Sequence, residues 1–130
     1  MAFLIDTDVL IDHLDDNPAA VELMRQLTAE VIAISALTYM EVYEGVFRHH
    51  ARLPRFIELL NRIPVIAISR PVAHRAAQLR FLLRNERNLR VERRAIDILI
   101  AATAIELDLT LVTRNVDDFR HIAGLQLQSA

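Results

Sequence analysis

The chain has 130 residues, 53% of them hydrophobic, which suits one domain with a substantial core and excludes a disordered tail. It lacks cysteine, a basic leader and any apolar run near ~18 residues, so we expect no disulfide, no signal peptide and no membrane helix, as in a cytoplasmic protein. The net charge is only −2, yet residues 1–47 carry nine acids and one arginine, whereas residues 48–94 carry twelve arginines and three acids.

Short apolar runs alternate with segments of helical spacing, in an order typical of an α/β protein. The predicted elements, in chain order, are a strand at 2–6, a helix at 8–15, a helix that begins at 17–18, a strand at 31–34, a helix from 35 to about 50, a helix at 53–62, a strand at 65–68, helices at 71–90 and 95–107, a strand at 110–113 and a weak strand at 125–127. Thr7 or Asp8 is expected to cap the first helix, and Ser35 or Thr38 the third. This order predicts a three-layer α/β/α sandwich with a central, mainly parallel sheet of four to five short strands, in a single domain over 1–130.

Several apolar segments that are far apart in the chain each end in an acid, namely Asp6, Glu41, Asp97 and the pair Asp117 and Asp118. A carboxylate among buried hydrophobic side chains is costly unless a positive group compensates it. Ligands of parallel sheets bind beyond the carboxyl ends of the strands, where Asp6 and the 113–118 segment are expected to lie. Mg²⁺ and Mn²⁺ prefer oxygen ligands and are commonly held by one or two carboxylates, waters and a substrate phosphate. We therefore predict a divalent-metal site with Asp6 and Asp97 as direct ligands.

Each acid also has a simpler interpretation. Asp6 can cap the helix that follows it, and Asp97 can stabilise the first turn of its helix through the helix dipole. Glu41 can be a solvated surface residue, and the Asp117–Asp118 pair can belong to a turn or a cap. None of these acids is specific alone, so the hypothesis of a site depends on their joint arrangement.

The acids lie in four motifs that together resemble the PIN-domain ribonucleases, and among these most resemble the VapC toxins of type II toxin–antitoxin systems. The motifs are residues 4–11 (LIDTDVLI), 35–41 (SALTYME), 97–104 (DILIAATA) and 113–119 (TRNVDDF). The resemblance covers nearly the whole chain, in the right order and at the right length. It implies a small α/β/α domain, Mg²⁺-dependent cleavage of RNA and inhibition by a cognate antitoxin protein. It also implies a homodimer or a toxin–antitoxin hetero-oligomer.

Matched residue by residue, the catalytic acids of the family fall on Asp6, Glu41 and Asp97. We favour Asp118 as the fourth acid, with Asp117 and Asn115 as the alternatives. The residues predicted to support substrate binding near the acids are Thr7, Ser35, Thr113 and Asn115. The chain departs from the family pattern before Asp97, where many relatives carry glycine and this chain has LRVERR at 89–94.

Arginines between residues 75 and 94 are candidates for contact with RNA phosphates, and we assign Arg84 and Arg87 to substrate binding. The planar guanidinium fork matches a phosphate, and such contacts weaken as salt is added. A solvated helix face or intersubunit salt bridges would explain these arginines equally well. The expected chemistry is attack on a phosphodiester by a metal-activated water, with help from Glu41 or Asp118.

Three other functions remain open. A non-catalytic module could use the acids to bind a metal or a basic partner. A DNA nuclease on a similar sheet would need extra helical elements, for which 130 residues leave no room. A metal-dependent phosphatase with an aspartate nucleophile fits the spacing of Asp6 and Asp8, but the chain has no downstream lysine.

Overall fold

The structure, a computed structural model, describes residues 1–85 and 94–130. Its strands are β1 (Ala2–Ile5), β2 (Val31–Ser35), β3 (Val65–Ile66), β4 (Thr110–Thr113) and β5 (Leu127–Ser129). Its helices are α1 (Thr7–Leu14), α2 (Pro18–Leu27), α3 (Ala36–Arg48), α4 (Leu53–Leu60), α5 (Arg70–Asn85), α6 (Ala95–Glu106) and α7 (Val116–Phe119), with a short 3₁₀ turn at His50–Arg52. The predicted end of the helix at 71–90 lies partly outside the described residues.

The five strands form one parallel sheet in the order β3-β2-β1-β4-β5. The central strand β1 pairs with β2 on one side and β4 on the other, so that Phe3 lies opposite both Ile32 and Thr110. Because all strands run in the same direction, the carboxyl ends of β1, β2 and β4 meet at one edge of the sheet. The helices that follow these strands therefore begin at that edge.

Side chains alternate along each strand, so the two faces of the sheet bury separate cores. Phe3 and Ile5 face the core that includes residues of α1, α2, α3 and α4, whereas Leu4 faces the core built with α5 and α6. The four residues predicted for the apolar face of α5 are all buried, namely Val72, Ala76, Leu79 and Leu83. The predicted three-layer α/β/α class, with a parallel sheet of five short strands, is confirmed.

Three local predictions differ from the structure. The N-cap of α1 is Asp6, as its simpler interpretation predicts, and not Thr7 or Asp8. The third strand contains two residues instead of four, because β2 turns into α3 after Ser35 and leaves β3 no partner beyond Ile66. The last strand lies two residues later than predicted. No helix within the described ranges is long and apolar enough to cross a membrane.

Candidate active site

Asp6 lies at the carboxyl end of the central strand, and only 6% of it is exposed. Its Oδ1 accepts a hydrogen bond from the backbone N–H of Thr7 at 2.8 Å, and its Oδ2 accepts one from the hydroxyl of Thr113 at 2.7 Å. The parallel pairing of β1 with β4 brings Thr113 to Asp6. The two donors fix the carboxylate, yet each of its oxygens keeps a lone pair for another partner.

Glu41 reaches the same region from α3. Its Oε1 accepts a hydrogen bond from the Thr7 hydroxyl at 2.7 Å, and the Thr7 Oγ1 also lies 3.1 Å from the Oγ1 of Thr38. Thr38 and Glu41 are three residues apart and therefore share a face of α3. Thr7 thus links two acid-bearing elements, since its backbone binds Asp6 and its hydroxyl binds Glu41.

Asp97 and Asp118 approach from the first turns of α6 and α7. Arg94, the residue before α6, contacts both of them: its Nη1 lies 3.5 Å from the Oδ2 of Asp97 and forms an ion pair with the Oδ2 of Asp118. The side chain of Asp117 is 87% exposed and pairs with Arg120 at 3.0 Å. The structure therefore brings Asp118, and not Asp117, to the other acids.

Asp8 also faces this region, from the first turn of α1. Its Oδ2 accepts a hydrogen bond from the Nδ2 of Asn115 at 2.6 Å, and the backbone N–H of Asn115 donates to the Oγ1 of Thr113 at 3.0 Å. Arg114 pairs with Asp12 at 2.6 Å and approaches Asp8 at 3.8 Å. These contacts fasten the segment after β4 onto α1 and set the position of Asn115.

Together these residues enclose a cavity of about 360 Å³, lined by Asp6, Asp8, Glu41, Arg94, Asp97, Asn115, Asp118 and Phe119. Burial raises the pKa of Asp6 to about 6, although the hydrogen bonds from Thr113 and Thr7 oppose the rise. Asp8 and Asp97 add to it through like-charge repulsion. A cavity with this many carboxylates favours a cation.

The same causes act on the two other acids. Burial raises the pKa of Glu41 against the hydrogen bond from Thr7, and the nearby charge of Asp6 adds to the rise. Burial raises the pKa of Asp97 against the charge of Arg94, and Glu41 adds to the rise. Perturbed carboxylates that share a cleft are typical of functional sites.

The four polar residues predicted near the acids take different places. Asn115 lines the cavity. Thr7 and Thr113 are buried, and their hydroxyls donate hydrogen bonds to Glu41 and Asp6, respectively. They therefore position these carboxylates without lining the cavity themselves. Ser35 is fully buried as the N-cap of α3 and does not line the cavity. A direct substrate contact by these three stays a prediction.

Of the two arginines predicted to bind substrate, the structure describes Arg84, which is not among the described residues that line the cavity. Arg84 is exposed near the end of α5. Arg87 lies outside the described residues. Their contact with substrate stays a prediction.

Three cavity residues are not among the predicted site residues, namely Asp8, Arg94 and Phe119, of which Phe119 is a buried core side chain. Asp8 follows Asp6 by two residues, and in the sequence this spacing supports only the phosphatase alternative. Arg94 falls among the arginines between 75 and 94, for which the sequence predicts contact with RNA phosphates. The available signal was its position three residues before Asp97, one helical turn away.

The donor set fits a hard divalent cation, because it consists of carboxylate oxygens. No three acidic or histidine side chains within residues 1–85 and 94–130 form a ready-made cluster of metal ligands. Mg²⁺ is commonly held by one or two carboxylates with water in the other positions. Asp6 and Asp97 could therefore hold such an ion without a third protein ligand.

Comparisons with known proteins agree with this geometry. The family model of the PIN domain matches residues 3–125. Ribonuclease VapC19 of Mycobacterium tuberculosis is 34% identical over 128 residues, which cover 95% of this chain and 96% of that protein.

Solved structures are similar as well. A toxin–antitoxin complex from Klebsiella pneumoniae contains a chain that is 33% identical, with a TM-score of 0.73 and coverage of 95% of this chain and 94% of that one. VapBC2 from Rickettsia felis, bound to a DNA fragment from its promoter, has a TM-score of 0.84 over 100% of this chain and 99% of that one, but at 24% identity it supports the fold alone. By these matches the chain is a member of the PIN domain family and a relative of the VapC ribonucleases.

Proposed function

We propose that this chain is a metal-dependent endoribonuclease toxin of a toxin–antitoxin pair, which hydrolyses phosphodiester bonds of RNA at the acidic cavity. The observation that carries the proposal is the convergence of Asp6, Glu41, Asp97 and Asp118 from four separate elements on one cavity. The relatives named as VapC ribonucleases support the same reaction class.

Asp6 and Asp97 are the proposed ligands of Mg²⁺, with Mn²⁺ as an alternative. When bound, such an ion supplies a Lewis acid for a phosphate oxygen and lowers the pKa of a coordinated water. Thr113 and Thr7 hold the Asp6 carboxylate in one orientation. This fixed orientation reduces the reorganisation that the reaction requires.

Glu41 is the proposed acceptor of the proton that the attacking water loses, with Asp118 as the alternative. Burial raises the pKa of Glu41, which makes it a stronger base than an exposed glutamate. The hydrogen bond from Thr7 keeps one of its oxygens in place and leaves the other for a water. Asn115, whose Nδ2 already binds Asp8, adds a polar group at the cavity wall.

The proposed partners are an RNA substrate and a cognate antitoxin. The antitoxin is supported by the similarity to a chain of the Klebsiella pneumoniae toxin–antitoxin complex. We also propose a homodimer or a toxin–antitoxin hetero-oligomer that acts in the cytoplasm. Arg84 and Arg87 remain proposed contacts for the RNA backbone, and their contribution should weaken with salt.

The deciding experiment is cleavage of a labelled RNA by purified protein with Mg²⁺ and, in parallel, with EDTA. Cleavage should require the ion and should be lost in Asp97→Asn and Asp118→Asn. Asp117→Asn is the matched control, because this neighbouring acid is exposed and should leave cleavage unchanged. RNA that stays intact with Mg²⁺ and the wild-type chain would favour the non-catalytic binding module.

The phosphatase alternative has one observation in its favour, since Asp6 and Asp8 both line the cavity. Hydrolysis of p-nitrophenyl phosphate in preference to RNA would support it. Cleavage of single-stranded DNA in preference to RNA would instead support the DNA nuclease. The ribonuclease proposal requires that RNA be the preferred substrate of the three.

A further inference from the structure

The described residues that line the acidic cavity include one cationic side chain, that of Arg94. Its guanidinium lies at the edge formed by α6 and α7, 3.5 Å from the Oδ2 of Asp97 and in an ion pair with the Oδ2 of Asp118. The side chains of Asp97 and Asp118 are 31% and 18% exposed, so both are shielded from bulk solvent more than typical surface acids. Arg94 therefore neutralises part of the charge that the cavity gathers.

The position of Arg94 in its helix does not by itself favour a cation. Arg94 is the residue at the amino-terminal end of α6 and makes no capping hydrogen bond through its side chain. The helix dipole is positive at this end and disfavours a positive charge there. The acids of the cavity, and not the helix, thus account for where the guanidinium lies.

We propose that Arg94 is a tethered counter-ion that Asp118 holds beside Asp97, where it competes with the divalent metal for the Asp97 carboxylate. This inference rests on the proposed metal-dependent function. The Oδ2 of Asp97 lies 3.5 Å from the guanidinium, so a divalent ion at this oxygen would meet a like charge at short range. Metal binding at Asp97 therefore requires the guanidinium to move away.

A tethered counter-ion changes metal affinity in a direction that a merely structural residue would not. Loss of a structural contact loosens the cavity and weakens metal binding. Loss of a competing cation strengthens metal binding, because the Asp97 carboxylate becomes available and the local repulsion disappears. The sign of the change in Mn²⁺ affinity separates the two roles.

The experiment is titration of the RNA-free protein with Mn²⁺ at pH 7.5, with free Mn²⁺ read by electron paramagnetic resonance. We expect Arg94→Gln to bind Mn²⁺ roughly five- to tenfold more tightly than wild type. Arg94→Lys keeps the positive charge but loses the planar guanidinium, so its affinity for Mn²⁺ should lie between those of the wild type and Arg94→Gln. Arg75→Gln is the matched control, since Arg75 has a similar exposure, pairs with Glu106 at 3.1 Å and lies outside the acidic cavity.

Two further measurements keep the outcomes distinct. Circular dichroism of Arg94→Gln tests whether its fold persists, and Asp97→Asn tests whether the Mn²⁺ detected is bound in the cavity. Equal or weaker Mn²⁺ binding by Arg94→Gln, with binding lost in Asp97→Asn, overturns the counter-ion role and leaves the proposed function standing. Absence of Mn²⁺ binding in the wild type and in Arg94→Gln overturns both.

Discussion

Replacement of Asp6 by asparagine should make the metal-free protein more stable while it abolishes cleavage. Asp6 is buried beside other acids, and its charged form is disfavoured at neutral pH. Asparagine has nearly the same shape and no charge. Its carbonyl oxygen can accept from the Thr7 N–H, so this hydrogen bond persists, and its amide can donate to the Thr113 hydroxyl, so the second hydrogen bond reverses its direction.

The size of the effect follows from the pKa of Asp6, which burial raises from the ordinary 3.8 to about 6. A rise of about two units corresponds to at most ~3 kcal/mol of destabilisation when the group is fully charged. Between these two pKa values the folded protein binds more protons than the unfolded chain, so the contribution of Asp6 to stability falls as the pH rises through this window. Below the ordinary pKa of 3.8, Asp6 is protonated in both the folded and the unfolded protein, and the energetic cost of burying its charge disappears.

The assay is urea unfolding of wild type and Asp6→Asn in EDTA, followed by circular dichroism between pH 4.5 and 8. The advantage of Asp6→Asn in the free energy of unfolding should be small at the acidic end and grow toward its maximum above pH 6. Chelation matters because a bound metal would stabilise the wild type selectively. An Asp6→Asn protein that is less stable than wild type at pH 8, or an advantage that does not change with pH, would refute the reasoning.

Asp15→Asn is the control of opposite sign. The hydrogen bonds from Arg52 lower the pKa of Asp15, so its charged form is stabilised in the folded protein. The contribution of the Asp15 charge to stability is present above the ordinary pKa of 3.8 and is lost as the pH falls through the lowered pKa of the folded protein. Asp15→Asn should therefore lose stability at neutral pH, where Asp6→Asn gains it.

Three other outcomes are expected. Thr113→Val removes the donor to Asp6 and should cost about 1 to 3 kcal/mol at pH 8 in urea unfolding, whereas an unchanged midpoint would contradict the buried hydrogen bond. Thr7→Val removes the donor to Glu41, so the pKa of this acid should rise further and the acidic limb of the pH–rate profile for RNA cleavage should move to higher pH; a profile that stays in place would exclude this link. Ile98→Ala should cost about 2 to 5 kcal/mol by the same unfolding assay, because Ile98 is fully buried in α6, and a loss below 1 kcal/mol would mean that the core collapses around it.

The fold could be predicted from the sequence because its main signals are local. Continuous apolar runs marked β1, β2 and β4, and helical spacing marked the buried face of α5. The lengths of the outer strands could not be predicted in this way, because pairing sets them: β3 ends where β2 turns into α3 at Ser35, and β5 begins where Leu127 meets Leu111. Such limits depend on contacts between distant segments.

Part of the candidate site could also be predicted from local signals in the sequence. Asp6, Glu41 and Asp97 each interrupt or end an apolar run, and this contrast is visible in the sequence. The choice between Asp117 and Asp118 depends on the direction of a short helix, which adjacent residues of the same type do not reveal. The position of Arg94 between two acids depends on how α6 and α7 approach each other. A charge count along the chain does not reveal this position.

The hydrogen bond between Asp6 and Thr113 joins residues that are 107 positions apart in the chain. The central strand is therefore synthesised well before its partner β4, which carries Thr113. Contacts over such separations form late in folding, because a long loop must close first. A nascent chain that lacks β4 can hold neither Asp6 in its final orientation nor Asp118 in the cavity. For the proposed nuclease, this order delays assembly of the cavity, and hence activity, until the segment that carries β4 and Asp118 has been made.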